Sequence, residues 1–530
     1  MSSFTGTGKL IRFMLRRDRF LLPIWVLVIA YFPVALIPGI KEIWPTQPDR
    51  DAAVVMIQGT PAFTALLGKV HDSSLGGLVA WRGSIMTLVL GVIVALTVIR
   101  HTRTDEEAGR RELIGSTVVG RHAGPAAVLV IAVVADLVIG GLIGAGLIGQ
   151  GEDTTGSITM GAQYAAAGIL FAGIAAVCAQ LTRGAGSARA ILLIVLGAAF
   201  LLRMTGDMNA DLSWLVWVSP VGWLERLEPF GGNNLEVLGL FAGAVVVLIA
   251  VAFVLQSRRD IEAGVLPTRP GRAEAAAGLA NTFGLAWRLQ RASLLGWSIG
   301  FAVMGTLLGS MVNGIDDMLT SSRTMAQVMA RMGGSGVLTD AFVASMTGIM
   351  ALAAAGYSIQ ATAKLRSEET AGRTEQVLAT NVHRTGWAAS HLAFAFVGPA
   401  IGLAIGAVGF GIGAGPASGD IGTGVTDALV GTAVQLPAVW VLTGLATLLF
   451  GVLPRLIGFA WVALTLCLLF GQLGAALQLP QWVLDLSPFT HVPQIPGHEI
   501  TARPLLWLAL AVVVTTVVGL VGFGRRDLSH

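Results

Sequence analysis

The chain has 530 residues, of which 12% are charged and 54% apolar, whereas soluble domains carry about 25% charged residues. With a mean hydropathy of +0.75, this excludes a water-soluble globule and a disordered chain, and two cysteines exclude a disulfide scaffold. A formal net charge of +3 is too small to point to a nucleic-acid partner. The composition is that of an all-α polytopic membrane protein.

A spanning helix needs about 20 apolar residues. In chain order the first half supplies six candidates: 21–40, 80–101, 124–149, 160–181, 188–204 and 234–256. The first run follows basic residues, as a signal peptide would. It is too long for one and lacks a small-x-small cleavage site, so it is expected to stay as an uncleaved span. The fifth run is short and is expected to extend into the polar segment after it. The second half supplies 293–313, 341–363, 386–412, 425–450, 456–474 and 503–523. The 68 glycines suit close helix packing in lipid. With the N-terminus placed in the cytoplasm, 25 of the 34 Lys and Arg residues fall on that side, so the positive-inside rule predicts two cytoplasmic termini. Cys178 and Cys467 lie in apolar runs and read as buried small side chains. The histidines show no metal-binding spacing, and no metal is expected.

Residues 103–121 (RTDEEAGRRELIGSTVVGR) and 366–384 (RSEETAGRTEQVLATNVHR) agree at nine of nineteen positions, where unrelated segments share about one or two. Weaker matches flank the pair in the same order. Arg16, Arg19, Leu22 and Trp25 match Arg288, Arg291, Leu294 and Trp297 before each first span. Trp214 with Ser219-Pro220 matches Trp482 with Ser487-Pro488 before each sixth span, and Arg258-Arg259-Asp260 matches Arg525-Arg526-Asp527 after it. Gln163 and Gln435 recur within the fourth spans. The chain therefore reads as two homologous six-span units, 1–264 and 281–530, joined by a cytoplasmic linker at 265–280. Units with an even number of spans run parallel, related by an axis along the membrane normal, with a pathway expected at their interface.

Each repeated loop reads as a short amphipathic helix on the cytoplasmic side. Thr104 and Ser367 are positioned to cap it, with Asp105, Glu106, Glu368 and Glu369 in its first turn. Thr104-x-x-Glu107 has the spacing of a capping box. Gly109 and Gly372 are expected to admit a close backbone. Glu112 and Glu375, with Ile114 and Val377, offer one polar and one apolar contact to a partner, and Arg121 and Arg384 are placed to meet lipid phosphates.

The pattern E-x-A-G-R-x-E-x-[IV]-x-x-T resembles the cytoplasmic loop of ABC-2-type exporter permeases. The doubled chain is similar to actinobacterial exporters of polyketide antibiotics of the tetronasin-resistance type. Val118 and Asn381 stand where many such permeases have Pro. The resemblance implies a bacterial plasma-membrane efflux permease for hydrophobic or amphipathic compounds. It also implies coupling helices at Asp105, Glu106, Gly109, Arg110 and Glu112, and at Glu368, Glu369, Gly372, Arg373 and Glu375. No G-x-x-x-x-G-K-[ST] motif occurs. The chain is thus expected to have no catalytic residues and no cofactor of its own, with ATP and Mg held by a separate P-loop ATPase, two copies per chain.

The resemblance further implies a pathway lined by the second and fifth spans. Candidates there are Ser84 with its match Thr347, Thr87 with Met350, and Phe200 and Phe470, with Gln163 and Gln435 nearby. Asp136 lies mid-span and has no acidic match in the second half, which makes it a candidate contact for substrate or cation. The Trp, Pro and Phe content of the segments 214–230 and 482–493 suits interfacial or re-entrant helices, and the resemblance implies that they form an outer gate. An ion-coupled secondary transporter for drugs or lipids is the alternative; it would call for several intramembrane carboxylates, and Asp136 is nearly alone. A membrane-embedded enzyme would need a cluster of acidic or His residues at one face.

Overall fold

A bilayer leaves backbone polar groups no partner but each other, so long apolar runs become helices. The computed structural model describes residues 2–59, 61–115, 117–260, 263–266, 273–274, 277–279, 281–321, 335–415, 421–473, 480–493, 495 and 501–527. Among the described residues, eleven helices are long and apolar enough to cross a membrane. In the first half these are Leu21–Ile43, Leu75–Glu107, Ala123–Gly149, Thr154–Leu181, Ala185–Met208 and Leu235–Arg258. In the second half they are Thr282–Val312, Val343–Thr370, Arg384–Ala414, Ile421–Val452 and Ala502–Arg525. The protein is all-α and multi-pass.

Within the run expected at 456–474 a helix spans Phe459–Leu473, after the 3-10 turn Pro454–Leu456; residues 474–479 lie outside the described residues. The fifth span does extend through its polar end to Met208. The chain divides into two units, Met1–Pro270 and Gly271–His530. Arg269 and Arg272 of the expected linker lie outside the described residues.

In the first unit the fourth span is the hub. Its most apolar stretch is 78% buried, against 17% for the sixth span. It meets the third span backbone to backbone: a Cβ on Gly140 would stand 2.4 Å from the Gly161 carbonyl oxygen. In the second unit glycines bring two pairs of spans together: a Cβ on Gly451 of the fourth span would clash with the Gly519 carbonyl oxygen of the sixth, and one on Gly305 of the first span with the Gly406 oxygen of the third.

A helix at Thr7–Arg17 precedes the first span and buries Leu10 and Met14, while Lys9, Arg12, Phe13 and Arg16 are exposed. That division suits a helix lying at an interface. Between the fifth and sixth spans of the first unit, Ser219 caps the helix Pro220–Glu225, accepting from the Val221 and Gly222 N–H groups at 3.2 Å. Trp214, Trp217 and Trp482 are exposed, and Phe230 packs against Gly76 and Gly156 at the starts of the second and fourth spans.

Candidate functional site

The duplicated loops share one internal geometry. In the first unit the second span runs on through a π-helical turn, Arg100–Thr104, into Asp105–Glu107. Gly109 then turns the chain with φ +67° and starts the helix Arg110–Gly115. In the second unit the helix Ser335–Thr370 ends at Gly372, φ +70°, before Arg373–Leu378. Both glycines are left-handed terminators of the incoming helix. Among the described residues, a Cβ on either would meet nothing within 4 Å, so each has open space around it. The expected capping box is absent. Thr104 lies within continuous helix with no capping bond. Glu107 instead accepts from the Ala185 N–H at 2.8 Å, and the Thr104 hydroxyl accepts from Arg189 at 3.1 Å.

The carboxylates at the centre of each loop turn inward. Glu106 accepts two bonds from Arg259, just past the sixth span, at 2.6 and 2.9 Å. Arg103 and Arg111 lie 3.0 and 3.1 Å from the same carboxylate. Glu369 accepts two bonds from Arg526 at 2.6 and 2.7 Å, and Arg366 lies 3.2 Å away. Arg121 donates to the Gln256 and Arg259 carbonyls at 2.8 and 2.7 Å. Arg384 donates to the Arg526 carbonyl at 2.8 Å. Four identities of the repeat (Arg103/Arg366, Glu106/Glu369, Arg121/Arg384 and Arg259/Arg526) thus form a latch between the loop and the end of its own sixth span. Bidentate Arg–carboxylate pairs combine strength with directionality. Asp105 pairs with Arg17 and Arg110 at 2.7 Å each, and Glu368 with Lys364 and Arg373 at 3.1 and 2.7 Å. The bond to Glu368 raises the Arg373 pKa. What each loop offers outward is Arg110, Glu112 and Leu113, or Arg373, Glu375 and Gln376; the Ile114 side chain lies outside the described residues. Arg259 and Arg526 were visible in sequence as a repeated pair, but nothing there linked them to the glutamates.

A cleft in the first unit gathers four of the pathway candidates: Ser84, Thr87, Gln163 and Phe200. Ser84 and Thr87 lie one turn apart on the second span. Their hydroxyls donate to the Leu67 and Ser84 carbonyls at 2.8 and 2.6 Å. Gln163 donates to the Leu224 oxygen at 2.7 Å, and its own Oε1 has no hydrogen-bond partner. Arg203 closes one end, 4.8 Å over the Phe200 ring. It lies 3.0 Å from Asp207 and 3.8 Å from Glu225. Burial works against the Glu225 carboxylate, but His71, Arg203 and the Lys69 N–H outweigh it and hold its pKa low. The Arg203–Asp207 pair was missed in sequence, although charges four apart in an apolar span were the available signal.

Asp136 is not on this cleft. It is fully buried against Gly168 of the fourth span, and neither carboxyl oxygen has a hydrogen-bond partner. In the second unit Thr347 is buried and bonded to the Ala344 oxygen at 2.9 Å. Met350 and Gln435 are buried, Gln435 with an unpartnered Oε1, and Phe470 is half-buried. Among the described residues, no three His, Cys, Asp or Glu side chains are grouped to hold a metal.

Multiple glycine-packed spans, a polar-lined cleft and loops tied to the ends of spans define a multi-pass membrane protein of the permease class. The family described as "Multidrug efflux system permease Rv1217c, C-terminal domain" matches residues 51–255 and 279–524. The chain is 41% identical to the multidrug efflux system permease protein Rv1217c of Mycobacterium tuberculosis (strain ATCC 25618 / H37Rv), over 99% of this chain and 96% of that protein. The chain belongs to this permease family.

Proposed function

We propose that the chain is the membrane subunit of an ATP-driven ABC exporter of the ABC-2 type, moving hydrophobic or amphipathic drugs out of a bacterial cell. The observation that carries this reading is the latch. A loop held by Glu106–Arg259 or Glu369–Arg526 presents its outer turn as a fixed surface, as a docking element requires. In this reading a separate P-loop ATPase, two copies per chain, binds Mg and ATP and grips the exposed turns around Glu112 and Glu375. Force on a loop then reaches the end of the sixth span through the buried pair. Export follows only if substrate binds the two resulting states with different affinity. The first-unit cleft, with Trp81 and Phe200 beside Ser84 and Gln163, suits an amphipathic ligand. Both termini are cytoplasmic in this scheme, and the chain itself does no bond chemistry.

The test is co-purification from the native host, followed by assay of the captured ATPase. Glu112→Lys with Glu375→Lys, both exposed, is expected to abolish stimulated ATP hydrolysis while the permease stays folded. Capture that never yields an ATPase, or unchanged stimulation, overturns the reading. Ion-coupled transport is favoured by one observation, the unpartnered Asp136. If Asp136→Asn removes transport while ATPase stimulation persists, that second reading gains.

A further inference from the structure

A second cleft lies at the loop end of the first unit. One wall is apolar: Leu10, Phe13 and Met14 from the amphipathic N-terminal helix, with Val119 and Pro125. The rest of the lining is polar and carries Arg111, Arg121, Arg259 and His101 beside Asp105, Glu106 and Asp260. The carboxylates are oversubscribed. Asp105 is divided between Arg17 and Arg110, and Glu106 among Arg103, Arg111 and Arg259. Asp18, just behind this lining, is divided between Arg100 and His101. A second, independent feature is a buried polar atom without a partner at the cleft. His101 has 3% of its side chain exposed and bonds Asp18 through Nε2, while its Nδ1 has no hydrogen-bond partner and stands 3.9 Å from Asp105. Burial also pushes the Arg111 pKa down despite Glu106, a penalty that another anion would relieve.

We propose that this cleft binds the phosphate of an anionic phospholipid, its headgroup between Arg111, Arg121 and His101 and its chains along Phe13 and Val119. The cleft is formed where the second, third and sixth spans end, at Thr102, Gly124 and Gln256, which is the depth of lipid headgroups. Basic pockets at the ends of spanning helices recognise such headgroups. The Thr7–Arg17 helix supplies the apolar half of the site and keeps Lys9, Arg12 and Arg16 in the polar layer. A soluble anion would have no use for the apolar wall, and a neutral lipid none for the cations.

The test uses the full-length purified chain in nanodiscs of phosphatidylcholine with and without phosphatidylglycerol, reading retained lipid by native mass spectrometry. The wild type is expected to retain phosphatidylglycerol in preference to phosphatidylcholine. Arg111→Gln with Arg121→Gln is expected to weaken that retention roughly 30-fold. Phe13→Glu disturbs no ion pair, and Phe13 is 53% exposed, so this variant probes the apolar wall even if the double variant folds poorly. It too is expected to release the lipid. Equal retention of both lipids, unchanged retention in Phe13→Glu, or displacement of the lipid by inorganic phosphate alone overturns the proposal.

Discussion

The two copies of the loop keep one interaction and differ around it. In both, a buried glutamate takes two bonds from an arginine just past its own sixth span. In the first copy Glu106 is shared by three guanidinium groups, and the neighbouring Asp105 ties the loop to the Thr7–Arg17 helix through Arg17. In the second copy Glu369 has two cations, and Arg526 lies over the rings of Phe450 and Phe523 at 5.2 and 5.3 Å. Asp18, Arg100 and His101 cluster in the first unit; the matching positions are Gln290, Ala363 and Lys364. The latch is thus the common mechanical part. The first copy adds electrostatics around it, and the second adds aromatic packing.

The largest expected effect comes from breaking the latch. Removing one partner of a buried ion pair costs about 3–5 kcal/mol, because the other charge stays behind. Glu106→Ala leaves three guanidinium groups facing one another and is expected to lose that much in thermal unfolding of the detergent-purified chain. Glu369→Ala is expected to lose less, since Phe450 and Phe523 still stabilise Arg526 by cation–π contact. The exchange Glu369→Arg with Arg526→Glu is expected to restore part of the loss. Losses below about 1 kcal/mol at both glutamates would show that the latch holds nothing.

A pH dependence sharpens the contrast between the units. Glu225 is held below its ordinary value of 4.5 by His71, Arg203 and the Lys69 N–H, against the cost of burial. Asp207 and Glu228 are the acidic groups nearby. A depressed carboxyl pKa contributes stability that is complete above the unfolded value and is lost as pH falls through the folded one. Six residues past the matching Ser-Pro of the second unit stands Pro493, which cannot titrate. Below pH 4.5, hydrogen exchange corrected for intrinsic rates is expected to accelerate in Pro220–Glu225 and to stay unchanged in Pro488–His491. Equal acceleration in both would break the distinction.

Most of the architecture was legible because lipid enforces it: apolar runs of bilayer length have to be helices. In the run 456–474, Leu456 belongs to the turn that Pro454 opens, and the helix begins at Phe459. The loops were legible as a repeat, but the direction of their side chains was not. Glu106 and Glu369 face inward because Arg259 and Arg526 come back to them over more than 150 residues, a pairing that no local spacing reveals. Ser84, Thr87, Gln163 and Phe200 were grouped from sequence as lining one pathway, and the tertiary fold brings them to one cleft. Asp136, picked with them, sits apart.

The smallest expected effect decides what the repeated glycines do. Sequence suggested room for another backbone, whereas the structure gives both a positive φ, +67° at Gly109 and +70° at Gly372, with open space around the missing Cβ. An L-residue held in that conformation costs about 1–2 kcal/mol, and Asn tolerates it better than Ala. Gly109→Ala and Gly372→Ala are therefore expected to lower unfolding stability by similar amounts, about 1 kcal/mol each, with Asn variants less affected. This holds even though the surroundings of the two loops differ, because the cost arises in the backbone of the glycine itself. If instead Ala leaves stability untouched at both positions but weakens capture of a partner protein, the glycines serve close approach after all, and the turn they make is incidental.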